Sequence, residues 1–193
     1  MPTKITDIPI DWAHWFTGVC DGEATFNARP DWRRHSGVTP RFAICMQQDE
    51  SLLEEIRRHL GIGSISPRPE RDGRHAGHTW SVDSARDLAY ICDFFDAFPL
   101  RSKKQAEFQH WRVLVANLQH RTLTFSEALS HALALSELND RRKGQAQGFR
   151  ARAAEFLSNS TATPNHALQR TAPRVTVAAI SSSNPSPPSH LFP

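Results

Sequence analysis

The chain has 193 residues, 39% of them hydrophobic, with 23 Lys and Arg against 20 Asp and Glu. That length suits one domain with an extension, and no run of about 18 apolar residues exists to cross a membrane. The net charge of +3 is local: from Gly144 onward there are four Arg and one Glu, so residues 1–143 balance at 19 basic and 19 acidic side chains. A nucleic-acid role must therefore rest on where the charges lie.

The first residues, MPTKITDIPIDW, lack the apolar core of a signal peptide, which reads as a cytoplasmic protein. Trp12, Trp15, Phe16 and Val19 fall at i, i+3, i+4 and i+7 and predict a helix over 11–21. Gly22 reads as its stop. Two carboxylates, Asp21 and Glu23, flank that glycine. Acids there face the negative end of the helix macrodipole. A divalent cation would explain them; a solvated helix end is the plainer reading of the local pattern.

A strand is expected at 23–29, a Pro-, Arg- and Gly-rich loop at 30–40, and a second strand at 41–48. Asp49 can cap a helix carrying Leu52, Leu53, Ile56 and Leu60, and Gly61 and Gly63 end it. Strands at 64–68 and 78–82 enclose a polar loop. Ser84 and Asp87 have capping-box spacing before a helix bearing Leu88, Ile91, Phe94, Phe95 and Phe98. A further helix over 102–118 carries Phe108, Trp111, Leu114, Val115 and Leu118. Helices at 125–139 and 145–157 follow, the former opened by Thr124 and Glu127. Residues 158–193, rich in Ser, Thr, Pro and Ala, bury too little to offset ordering entropy and are expected to be disordered.

The implied class is α+β, an αββαββα order with an antiparallel sheet and its helices on one face. Residues 1–120 would hold the sheet, 121–157 a helical extension and 158–193 the tail. Cys20, Cys45 and Cys92 are widely spaced without a CxxC pair and read as small buried hydrophobes.

Strand alternation leaves a polar sheet face opposite the helices. It carries Thr25, Asn27, Arg29, Arg41, Gln47, Ser64, Ser66, Arg68, Thr79 and Ser81, with few acids beyond Glu23 and Asp83. Its loops add Arg33 and Arg34, then Arg71 and Arg74. Such side chains suit phosphate and base-edge contacts in double-stranded DNA. A wet face of an ordinary antiparallel sheet has the same composition. His75 and His78 form an HxxH pair without a completing Cys or acid, Gly61 and Gly63 read as a turn, and no GxSxG nucleophile motif occurs.

Residues 15–26, WFTGVCDGEATF, resemble the motif helix of the LAGLIDADG homing endonucleases, single-motif type, which commonly reads WLAGFIDGEGSF. FAICMQQDESLL at 42–53, HLGIGSI at 59–65 and FPLRSKKQ at 98–105 resemble later family segments in the family order. The resemblance covers roughly residues 10–118.

It implies a saddle-shaped sheet in the DNA major groove and a homodimer whose motif helices pack side by side. Phe16, Thr17, Gly18 and Gly22 would lie at that interface. Glu23 would bind Mg²⁺ or another divalent cation near the scissile phosphates, with Asp21 mainly structural and a secondary ligand. Gln47 would sit near the attacking water, and Lys103 and Lys104 near the catalytic centre. Divalent ions shared between two carboxylates supply an activated water and charge neutralisation. One carboxylate per subunit demands a dimer and a roughly palindromic site.

Four positions depart from the usual motif: Phe16 for Leu, Thr17 for Ala, Cys20 for an aliphatic residue and Ala24 for Gly. Ala24 would be strained if that position needed φ > 0. The expected function is metal-dependent, site-specific double-strand cleavage in intron or intein mobility. The alternatives are the same fold binding nucleic acid without cutting, as a splicing helper or regulator, and an unrelated α+β binding module.

Overall fold

The computed structural model describes residues 2–31, 37–70, 75–139 and 143–162. Met1–Ala162 form one compact unit. After a 3₁₀ turn at Ile5–Asp7, the elements are α1 (Ile10–Glu23), β1 (Ala24–Pro30), β2 (Val38–Met46), α2 (Glu50–Leu60), β3 (Ser64–Arg68) and β4 (Gly77–Val82). Four helices complete the unit: α3 (Ala85–Ala97), α4 (Lys104–His120), α5 (Phe125–Leu138) and α6 (Lys143–Ala162). The α+β expectation holds. The four strands are antiparallel in the order β1-β2-β4-β3.

One sheet face is apolar because strand alternation places Phe26, Phe42, Ile44, Trp80 and Val82 on it, all buried. Phe16 of α1, Phe94 and Phe95 of α3, and Phe108 and Trp111 of α4 pack onto this layer. Several ring pairs meet edge-on, as Phe42 and Trp80 do at 5.8 Å and 86°. Both buried indoles find acceptors: Trp80 Nε1 donates to Ile62 O at 3.1 Å and Trp111 Nε1 to Arg41 O at 3.2 Å. Gly63 makes the first of these possible. It sits at φ +79°, and a Cβ there would lie 2.4 Å from Trp80 Nε1.

Helix α1 differs from expectation in two ways. Its buried stripe is Ala13, Phe16, Thr17 and Cys20, one residue round from the predicted one. The small side chains let the helix sit close to the core, while the large Trp rings stay at its margins. Trp12 stacks on His59 at 4.5 Å and Trp15 is 40% exposed. Nor does Gly22 stop the helix. It lacks the positive φ of a terminating glycine, and α1 runs through Glu23 to a cap at Ala24. Ala24 has φ −66° and ψ 150°, so alanine is unstrained there.

The caps split. Asp49 occupies the α2 N-cap without a side-chain hydrogen bond. Ser84 Oγ accepts from the Asp87 N–H at 3.1 Å. Thr124 and Glu127 form a full reciprocal capping box.

Helix α5 packs directly on the first 120 residues. Ala128 and Ala132 meet Val38 and Leu114, and Leu135 enters the main core. Helix α6 runs to Ala162, so residues 158–162 are helical rather than disordered. The remainder of the expected tail, 163–193, lies outside the described residues.

Candidate active site and nucleic-acid interface

The end of α1 delivers two acids to different surroundings. The Asp21 carboxylate accepts the backbone N–H of Arg101 at 3.0 and 3.3 Å and that of Ser102 at 3.0 Å. Ser102 Oγ donates back to Asp21 O at 3.4 Å and accepts the Lys104 N–H at 3.1 Å. Asp21 thus ties the start of α4 to the end of α1. Glu23, the last residue of α1, is exposed, and among the described residues its carboxylate makes no hydrogen bond or ion pair.

Glu23 leads straight into the polar face. Thr25 lies opposite Ala43, Ala43 opposite Ser81, and Ser81 opposite Ser64, a row across the whole sheet. Asn27 faces Arg41, and Cys45 faces Thr79, which faces Ser66. Thr25, Asn27, Arg29, Arg41, Ser66, Arg68 and Thr79 share one groove of about 290 Å³. Seven sequence-selected residues are therefore brought together.

Ser81 departs from that group. It is buried, and its Oγ accepts from Arg41 Nη2 at 2.7 Å and donates to Asp83 Oδ2 at 3.4 Å. Arg41 Nε lies 3.2 Å from Asp83 Oδ1, an ion pair without hydrogen-bond alignment. Arg41 is thereby held over the groove by a neighbour acid, and Ser81 supports it instead of facing a ligand. Ser64 is exposed on β3, outside the groove lining. Arg33, Arg34, Arg71 and Arg74 lie outside the described residues.

Sequence reasoning missed Cys45, which lines the groove with its Sγ 3.3 Å from Thr79 Oγ1. Strand parity with Arg41 and Gln47 was the available signal. Cys20 is buried as expected. Burial, with Asp21 beside it, raises its thiol pKa well above the usual range.

Gln47 is exposed just past β2. The close approach of β4 holds this corner, since a Cβ on Gly77 would meet Met46 O at 2.3 Å and Gln47 Cα at 2.9 Å. Lys103 is exposed at the start of α4. Lys104, beside it, is 5% exposed, and its Nζ donates to both Glu107 carboxylate oxygens at 2.9 and 2.7 Å. Its charge is consumed inside the fold.

The outer side of α1 presents Ile10, His14, Gly18 and Gly22 at four-residue spacing, all exposed. A groove of about 620 Å³ runs beside it, lined by His14, Thr17, Gly18, Asp21 and the segment Phe98 to Arg101. Of the four expected interface residues, Gly18 and Gly22 face outward. Phe16 is wholly buried in its own core, and Thr17 is buried with its Oγ1 donating to Ala13 O at 2.9 Å.

Among the described residues no group of three or more His, Cys, Asp or Glu is placed to hold a metal ion. Among the described residues the exposed Glu23 carboxylate has no hydrogen bond or ion pair, and a hard oxygen donor of this kind suits Mg²⁺ or Ca²⁺.

The fold aligns with the archaeal intron-encoded homing endonuclease I-Vdi141I, solved with DNA, at TM-score 0.57 and 23% identity, over 66% of this chain and 84% of that one. It aligns with the homing endonuclease I-TnaI at TM-score 0.57 and 21% identity, over 81% of this chain and 99% of that one. The second alignment takes in more residues than 1–120 contain. In sequence, an uncharacterized 50.9 kDa protein in ND4 intron 1 of Podospora anserina is 34% identical over 119 residues, 56% of this chain. The match spans about a quarter of that relative's length, 25%. The sequence model of one family, LAGLIDADG endonuclease, matches residues 16–115, just over half of the chain. The chain belongs to the LAGLIDADG endonuclease family.

Proposed function

We propose that this chain is a site-specific double-strand DNA endonuclease that acts as a homodimer with a divalent cation, Mg²⁺ being the expected one. The observation that carries this reading is Glu23, unpartnered among the described residues, at the junction of an exposed glycine-bearing helix face and a polar groove.

The glycines support the dimer. A helix-interior glycine costs about 1 kcal/mol relative to alanine. A Cβ on Gly18 or Gly22 would meet nothing within 4 Å, so packing within one chain does not require them. A second α1 crossing closely does, and it brings a second Glu23 alongside the first. Two carboxylates then satisfy what one chain lacks.

In the working complex, Asn27, Arg29 and Arg41 contact phosphates and base edges, and Thr25, Ser66 and Thr79 add hydroxyl contacts. Glu23 of each copy holds the cation, and Gln47 orients the attacking water. A bound divalent ion supplies charge neutralisation at the scissile phosphate and a more acidic water. Asp21 acts at one remove by fixing the segment that carries Lys103. The intron setting of the fungal relative supports a role in intron mobility. The sequestered Lys104 favours the second reading, a binding protein of this fold that does not cut. Incubation with a duplex library randomised around a palindrome, with and without Mg²⁺, separates the two: a cutter yields Mg²⁺-dependent ends, a binder only retained duplex.

A further inference from the structure

Helices α4 and α5 form a hairpin joined by residues 121–124. Across it, His110 Nδ1 and His131 Nδ1 lie 3.2 Å apart, with ring centroids 5.5 Å apart and planes at 57°. Both side chains are half-buried on rigid helices. Neither belongs to the groove or the α1 face. We propose that His110 and His131 form a two-histidine site for a borderline transition-metal cation of the Zn²⁺ class, clamping α5 to α4.

The bite fits. Two imidazole nitrogens at about 2.0–2.1 Å from a tetrahedral ion stand about 3.3 Å apart. Imidazole nitrogens suit Zn²⁺, Ni²⁺ or Cu²⁺, whereas Mg²⁺ takes oxygen ligands. The site is thus chemically distinct from Glu23. Burial and the neighbouring His110 lower the His131 pKa, against the raising effect of Glu127. Glu127, one turn before His131, supplies nearby negative charge. Its Oε2 is held by Thr124, leaving Oε1 free of that box. Water would complete the coordination.

A hydrogen bond between two neutral imidazoles satisfies the same distance, so the test must read metal directly. Untagged full-length protein, stripped with EDTA and dialysed, is titrated with ZnCl₂ by calorimetry, and its thermal midpoint is read with and without the ion. One Zn²⁺ per chain and a midpoint raised by a few degrees are expected. His131→Gln and His110→Gln should each weaken that binding about tenfold or more, whereas His78→Gln should not. Histidine side-chain ¹⁵N spectra of the unmutated protein should show Nδ1 of two histidines shifting on Zn²⁺ addition, a readout that does not depend on any variant folding. Absence of Zn²⁺ binding, unchanged binding in both variants, or spectra shifting at other histidines overturns the proposal.

Discussion

Asp21 and Glu23, two residues apart at the end of α1, do opposite things: Asp21 spends its carboxylate on the backbone of Arg101 and Ser102, and Glu23 keeps its own free among the described residues. Asp21→Ala removes a charged acceptor from two N–H groups. Loss of such bonds costs about 1–3 kcal/mol. Thermal unfolding should show a midpoint lower by about 2–10 °C. Asp21→Asn keeps one acceptor oxygen and should lose less.

The outward glycines give a contrast between folding and assembly. Gly18→Ala and Gly22→Ala place a methyl group in open space and gain up to about 1 kcal/mol of helix propensity. Each should leave the monomer as stable or more so. For the proposed homodimer, Gly18→Leu should weaken self-association at least about tenfold, since two α1 helices could no longer approach. Sedimentation equilibrium measures the second quantity and denaturant melts the first.

Lys104 and Glu107 form a buried pair with side chains 6% and 1% exposed. Lys104→Met alone strands a buried carboxylate and should cost about 3–5 kcal/mol. Adding Glu107→Leu should recover most of that loss, read from urea midpoints in a double-mutant cycle. Under the proposed endonuclease reading, cleavage by the double variant should persist, because the Lys104 ammonium is already neutralised within the fold.

His131 sets a pH dependence. The folded pKa of His131 is lowered from its ordinary 6.5, by burial first and His110 second, with Glu127 opposing. The unfolded chain therefore binds the proton more readily, and stability rises with pH across that window. In metal-free buffer the protein should lose stability as pH falls from about 6.5 toward the lower folded value. His131→Gln should flatten that segment of the stability profile. An unchanged slope would show that His131 does not contribute.

Much of the fold was legible because its signals were local and redundant. Alternation at Phe42, Ile44 and Met46 placed β2, and hydroxyl-to-carboxylate spacing at Thr124 and Glu127 placed the start of α5. The polar face followed from the same parity. Less legible was anything decided by packing. The Trp12 and Trp15 pattern pulled the expected α1 face off by one residue, because large rings can lie at the rim of a core while small residues enter it. Gly22 looked like a terminator, yet here it marks an open face. Nothing local in the sequence signals that Lys104 is buried; only the packing of α4 shows it paired with Glu107 one turn on. Ser81 has the parity of the groove but is covered by Arg41.

In the proposed function Glu23 holds the divalent cation for phosphodiester hydrolysis while the groove binds DNA independently. The direct measurement compares the unmutated protein with Glu23→Gln on a duplex it retains from a randomised palindromic library, recording Mg²⁺-dependent cleavage and mobility-shift affinity side by side. Cleavage should fall by about 10²-fold or more with affinity kept. Equal cleavage by Glu23→Gln would contradict the assignment.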